Sequence, residues 1–257
     1  MNMLRTSLGM EPLAAAVRQD GDHARQYRRL GLQPGHFIVE LDAGNGHTTA
    51  AAYLSESYAQ AGVRRFGGLD QMLEYHLDGS MEQLRQTLRS IRANAVYANH
   101  FEGVIAWDVT VLATHPGEDQ TRLFLSSLPE MAKYATMLFF LPSSPGCSQL
   151  LLMEKVCVLL GPEQVRRIRI PPYPEHILAG IVRQTLTGHL GVRLENEPEC
   201  RAALQEMVRQ CGIRNAGQAV QLARQADFTG FAPTLDLTRS AQLVRWPEGS
   251  SKKKEEM

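Results

Sequence analysis

An α/β fold built on a parallel sheet and followed by a C-terminal three-helix unit is the class the sequence predicts. Three observations predict it. Between residues 33 and 174, short apolar runs rich in Val, Ile and Phe alternate with longer amphipathic segments, the pattern of right-handed strand–helix–strand crossovers. After Pro174 the alternation stops, and three helical segments follow one another with no strand between them. The bulk composition, 44% hydrophobic and 21% charged residues, is that of an ordinary globular protein.

The elements follow in order. Residues 1–32 form an N-terminal helical segment, in which "EPLAAAVRQDGDHARQYRRLG" is expected to break at Gly21 and end at Gly31. "HFIVEL" is a strand, and "TTAAAYLSESYAQAG" a helix closed by Gly62. "GGLDQMLEYHLD" is left open between a short strand and a helical turn. "SMEQLRQTLRSIRANAVYA" starts at a capping Ser80 and lines up Leu84, Leu88 and Ile91 on one face, with Met81 a turn before.

"FEGVIAWDVTVLA" is the most strand-like segment of the chain. "TRLFLSSLPEMAKYA" is a helix with an expected interruption at Pro129, and "TMLFFLPSS" a buried strand. "CSQLLLMEKVCVLLG" is an apolar helix most simply placed in the core, and "VRRIRIPPYP" a strand ended by prolines. Residues 175–230 carry the three helices, and residues 231–257 read as an extended, disordered tail.

Charge and cysteine usage narrow the function classes. Lys and Arg total 27 against 27 Asp and Glu, so nucleic acid is not indicated by a global field. Of the basic residues 22 are Arg, and only Lys133 and Lys155 are lysines outside the terminal "SKKKEEM". No apolar run approaches the roughly 20 residues that span a bilayer. The N-terminus lacks a secretory pattern, and the four cysteines include no CxxC. Reduced thiols in a cytoplasmic protein are the expectation.

The chemistry is concentrated in "LDAGNGHT", residues 41–48, between the first strand and its helix. A phosphate-binding loop needs glycines for a tight turn, backbone N–H groups converging at a helix N-terminus, a lysine, and a hydroxyl for Mg²⁺. Against GxxxxGK[ST], Gly46 and Thr48 fit, while Leu41 stands at the first glycine and His47 at the lysine. The expected ligand contacts are Gly44, Asn45, Gly46, His47, Thr48 and Thr49. His47 as a phosphate contact competes with His47 as an exposed helix-start residue. Histidine has a shorter reach than lysine and an ordinary pKa of about 6.5, so weak, acid-favoured binding of nucleotide is expected.

Element order adds a resemblance. "VIAWD" ends a strand in Asp108, where a P-loop NTPase holds its Mg²⁺-binding aspartate, and Ser143 and Ser144 end the strand at the sensor position. With the helical unit behind, residues 33–230 resemble an AAA+ module: a P-loop nucleotide-binding core, 33–174, and a helical lid, 175–230. "GIRNAGQAVQLARQA" is similar to the lid segment of that family, which implies Arg214 as a γ-phosphate sensor. The resemblance further implies ATP or ADP with Mg²⁺ as cofactor, Thr48 and Asp108 as metal ligands, and a homo-oligomer or protein partner.

The departures point away from catalysis. Val109 stands in the catalytic-glutamate slot, Ser143 replaces the sensor amide, and no Arg closes "CSQLLLMEKVCVLLG" where a finger is expected. An arginine finger alone is worth ~10³–10⁵ in rate. Asp108 is equally at home as a strand-end residue held by turn amides, Trp107 as core, and His115 as a loop residue. The leading expectation is therefore an AAA+-like nucleotide-binding scaffold or regulatory subunit deficient in hydrolysis. The alternatives are an active ATPase remodelling protein or nucleic-acid complexes, and a ligand-free interaction protein on a P-loop fold.

Overall fold

The computed structural model describes residues 8–30, 35–60, 72–76, 80–97, 103–109, 117–133, 135–191, 193–194, 197–225 and 234–235. The chain divides into two compact units, Met1–Pro172 and Tyr173–Met257.

The first unit is organised by a parallel five-stranded sheet. Its strands are β1 (His36–Glu40), β2 (Met72–His76), β3 (Gly103–Asp108), β4 (Ala135–Leu141) and β5 (Val165–Arg169), in the spatial order β2-β3-β4-β1-β5. β1 pairs on one edge with β4, from Phe37↔Leu138 to Glu40↔Leu141, and on the other with β5, from His36↔Val165 to Glu40↔Arg169. β3 bridges β2 and β4. Every residue of β4 is buried, which is why "ATMLFFL" shows no polar alternation. The open reading of residues 67–78 resolves into strand β2 at Met72–His76, with Gly67–Asp70 outside the described residues.

Helices α1 (Glu11–Arg29), α2 (His47–Gln60), α3 (Met81–Tyr97), α4 (Glu118–Ala132) and α5 (Cys147–Leu160) cover the sheet. On one face Ile38, Ile105, Trp107, Met137 and Phe139 meet Leu84, Leu88 and Ile91 of α3, Phe124 and Leu128 of α4, and Met153 of α5. Phe124 sits at the centre, edge-on to Trp107 at 5.2 Å and to Phe139 at 6.3 Å between ring centroids. On the other face Phe37 tilts against Tyr58 of α2, and α1 packs on α2 and β5. The Ser80 hydroxyl accepts the Gln83 N–H at 3.0 Å, so it caps α3 as its spacing suggests.

Three expectations need correction in this unit. α1 runs unbroken through Gly21, because one glycine costs about 1 kcal/mol in a helix and buried Leu13, Ala14 and Val17 anchor its first half. Pro129 lies inside α4 without ending it, flanked by fully buried Leu128 and by Met131, whose packing carries the helix through. α5 is not simply a core helix: Leu152, Met153 and Val156 are buried, but Leu151, Val158 and Leu159 are exposed. Gly31 and Gly62, expected to end helices, fall outside the described residues, as does His115.

The second unit contains α6 (Glu175–Gln184), α7 (Glu197–Gln210) and α8 (Ala216–Gln225), with α6 packed on the other two. A wider π turn, Thr185–His189, extends α6, closed by the Leu190 N–H on the Thr185 carbonyl at 3.1 Å. The expectation of no strand here is corrected by β6 (Arg193–Leu194), which pairs in parallel with β7 (Thr234–Leu235). Two-residue strands are too short to show any periodicity. β7 falls within the expected extended tail; residues 236–257 lie outside the described residues.

Phe124→Ala should lower unfolding stability by about 3–5 kcal/mol, because it empties the centre of this core. Leu151→Glu should move it by less than about 0.5 kcal/mol, since that side chain is on the surface. Urea titration followed by circular dichroism measures both.

Candidate functional site

β1 ends at Glu40 between two partners, and the ladder continues one step beyond it. The Leu41 N–H donates to the Leu141 carbonyl at 2.7 Å, and the Ile170 N–H to the Glu40 carbonyl at 3.0 Å. The chain then turns: the Asn45 N–H donates to the Asp42 carbonyl at 3.1 Å, and α2 starts at His47 with the Ala50 N–H on the Gly46 carbonyl. Gly44 and Gly46 take φ values of 82° and 100°, which side-chain-bearing residues rarely adopt. A Cβ on Gly46 would also lie 3.1 Å from Met10 Cε. The segment is thus a strand, a glycine turn and a helix N-terminus, not a flat hairpin.

One of the two sequence alternatives for His47 is corrected. Its side chain is only 8% exposed and turned inward, so it is not an exposed helix-start residue. The ring stacks on Phe140 of β4, with centroids 4.1 Å apart and planes within 5°. Nε2 lies 2.9 Å from the Leu41 carbonyl oxygen, which can only accept, so Nε2 carries a proton. Nδ1 lies 3.9 Å from Asp108 Oδ2, an ion pair when the ring is protonated. His47 therefore straps the start of the loop to its end and faces the aspartate of the neighbouring strand.

Asp108 is the last residue of β3, in register with Phe140, and its side chain is 21% exposed. Thr48 and Thr49, in the first turn of α2, are exposed, while Asn45 is buried. The structure thus gathers Gly44, Asn45, Gly46, His47, Thr48, Thr49 and Asp108 around one loop at the C-terminal rim of the sheet. Arg214 belongs to the second unit, where it is exposed two residues ahead of α8. Its position there is fixed locally. Gly212, with φ 61°, closes α7 through Gly212 N–H to Arg209 and Ile213 N–H to Val208, and Asn215 caps α8 by accepting the Gln218 N–H.

Residues the sequence reading passed over complete the rim. Asp42 accepts the Ser143 N–H at 2.8 Å and the Ser143 Oγ–H at 2.7 Å, one on each carboxylate oxygen. Arg169 of β5 lies 3.7 Å from Glu40 Oε2 and donates to the Ser143 carbonyl at 3.4 Å. The only sequence signal for these contacts was position: each residue ends a strand or follows one. Val109, directly after Asp108 at the end of β3, is fully buried. Glu118 and Asp119 open α4, where Asp119 pairs with Arg122 at 2.6 Å. The four cysteines are not joined in disulfides.

Gly46→Ala should destabilise the protein by roughly 1–3 kcal/mol, since it strains the backbone and crowds Met10. Thr49→Ala, on the exposed face of the same turn, should shift stability by less than about 0.5 kcal/mol in the same denaturant assay.

No family model matches the sequence, and no curated protein matches it. Solved structures do match by fold. A Thermotoga maritima RuvB Holliday junction branch migration motor superposes with TM-score 0.57 at 13% identity, covering 88% of this chain and 64% of that one. C. elegans PCH-2 superposes with TM-score 0.54 at 8% identity, covering 92% of this chain and 66% of that one. The chain spans a little under two thirds of the RuvB motor's length. Among the described residues no helix is long and apolar enough to cross a membrane. At these identities the likeness is one of fold alone: an α/β unit on a parallel sheet, with a glycine loop at its C-terminal rim, in a chain that continues into a helical unit.

Proposed function

We propose that this protein is an AAA+-like nucleotide-binding protein that hydrolyses ATP poorly or not at all and serves as a cytoplasmic scaffold or regulatory subunit. The observation that carries the proposal is the loop itself. Gly44 and Gly46 in left-handed conformations lead directly into the first turn of α2, so backbone N–H groups and the helix dipole are available to an anion without any cationic side chain.

The residues present fit ATP or ADP with Mg²⁺. Gly44, Asn45, Gly46, His47, Thr48 and Thr49 would hold the phosphates, and Arg214 is the proposed sensor in the lid. The Thr48 hydroxyl and the Asp108 carboxylate are the hard oxygen donors that Mg²⁺ prefers, with phosphate oxygens and water completing its shell. When bound, the ion would neutralise phosphate charge. His47 would hold the loop in shape through its Nε2–H on the Leu41 carbonyl, and it supplies no flexible ammonium to follow a transferred phosphoryl group.

Weak or absent turnover follows from the same rim. Phosphoryl transfer depends on positioned charge. Val109 presents a buried apolar side chain where water would need an acid, and Ser143 is engaged by Asp42. A role in assembly is supported by α5, whose exposed Leu151, Val158 and Leu159 present apolar surface suited to a protein partner or a second copy of the chain.

Melting temperature with ATP or ADP, with and without Mg²⁺, tests the proposal. Nucleotide should raise it, more so with Mg²⁺, as expected when ligand binds only the folded state. Phosphate release should stay at background; release above it would establish an active ATPase. His47→Lys should tighten binding about tenfold by restoring a full charge at the loop. No thermal shift with any nucleotide would leave the ligand-free interaction protein as the correct description.

A further inference from the structure

We propose that Asp42 is a specificity-determining residue of the loop. Its carboxylate fills, from within the chain, an anion site at the end of β4, so that the loop favours a nucleoside diphosphate over a triphosphate. This rests on the nucleotide reading above but concerns a residue and a discrimination outside it.

Ser143 offers two donors, its backbone N–H and its hydroxyl, and both converge on one carboxylate, at 2.8 and 2.7 Å. A phosphate oxygen would be held the same way, by charge-assisted bonds from neutral donors. Ser143 is buried, so these donors are not spread over bulk water. Asp42 also starts the turn, since its carbonyl accepts the Asn45 N–H. The internal anion and the glycine loop are therefore parts of one short segment. A terminal phosphate reaching the end of β4 would have to displace Asp42 from Ser143; a shorter phosphate chain, held by the loop amides, would not.

Charge at the rim acts in the same direction. Among the described residues the fixed charges there are the carboxylates of Glu40, Asp42 and Asp108 and the guanidinium of Arg169, which lies beside Glu40. His47 faces this set with Nδ1 toward Asp108, and Phe140, on its other side, is uncharged. Each additional phosphate charge meets a rim whose carboxylates outnumber its guanidinium. At an effective dielectric of about 20, one carboxylate within several ångströms changes affinity for an added negative charge by about tenfold or more.

Two variants separate the charge from the contact. In Asp42→Asn the amide oxygen can accept the Ser143 N–H while the amide N–H donates to Oγ, so the bridge survives and the charge is lost. Asp42→Ala removes both. Isothermal titration of the full chain with ADP, ATP and inorganic tripolyphosphate should find ADP favoured by the wild type. Asp42→Asn should bind ATP and tripolyphosphate about tenfold more tightly, with ADP changing much less. Asp42→Ala should gain at least as much, and if it fails to fold the Asn variant decides. Parallel losses for ADP and ATP, or an unchanged ratio, would overturn the inference while leaving nucleotide binding in place. Absence of nucleotide binding by the wild type would overturn the proposed function instead. In that event tripolyphosphate still decides about Asp42: a gain in the variants supports its role, and no gain refutes it.

Discussion

The pairing of β1 on both of its edges is the constraint from which the rest of the first unit follows. A strand with β4 on one side and β5 on the other cannot slide or fray without breaking two ladders at once. Those ladders continue past its end through Leu41 and Ile170, so the loop leaves the sheet from a fixed point. Because all the pairings are parallel, Glu40, Asp108, Leu141 and Arg169 come to the same rim, and the segments that follow them meet there. A ligand site at the carboxyl ends of parallel strands is the general consequence of such topology. The glycine loop leaves the sheet at that rim.

Much of this architecture was legible in the sequence because it is written in short-range patterns. The seven buried residues of β4 appear as a continuous apolar run, and α3 shows its cap and its inner face in a few residues around Ser80, Leu84 and Leu88. Gly44 and Gly46 adopt the backbone angles that make glycine the natural choice there. Elements whose stability comes from elsewhere in the chain were not legible. β2 has five residues and gains its definition from β3, while β6 and β7 have two residues each and pair with one another. α1 crosses Gly21 because of what it packs on, which its own composition does not reveal.

The candidate site divides along the same line. The loop and the helix start could be read locally; the directions of its side chains could not. His47 is turned inward by the face of Phe140 and the carbonyl of Leu41, and Asp42 finds Ser143 across 101 positions of chain. Such contacts depend on strand order, and no spacing within "LDAGNGHT" encodes them. The outer face of α5 failed to register for a related reason. A helix with apolar residues on every side reads as buried, and only the arrangement of its neighbours shows that one side has no cover within the described residues.

On the proposed reading, binding and turnover would draw on different parts of this rim. Backbone amides and a helix dipole are properties of the fold, so they persist as long as β1, the glycines and α2 persist. On that reading turnover would need particular side chains, and the rim holds a buried Val109, an engaged Ser143 and an inward His47. The loop's own groups also satisfy one another: His47 with Leu41, Asp42 with Ser143, and Asn45 with Asp42. A loop ordered in this way loses little conformational freedom when a ligand arrives, which favours binding. Yet any anion that needs the donors of Ser143 must first replace an internal one. On the proposed reading, the balance between those two effects would set what this loop holds.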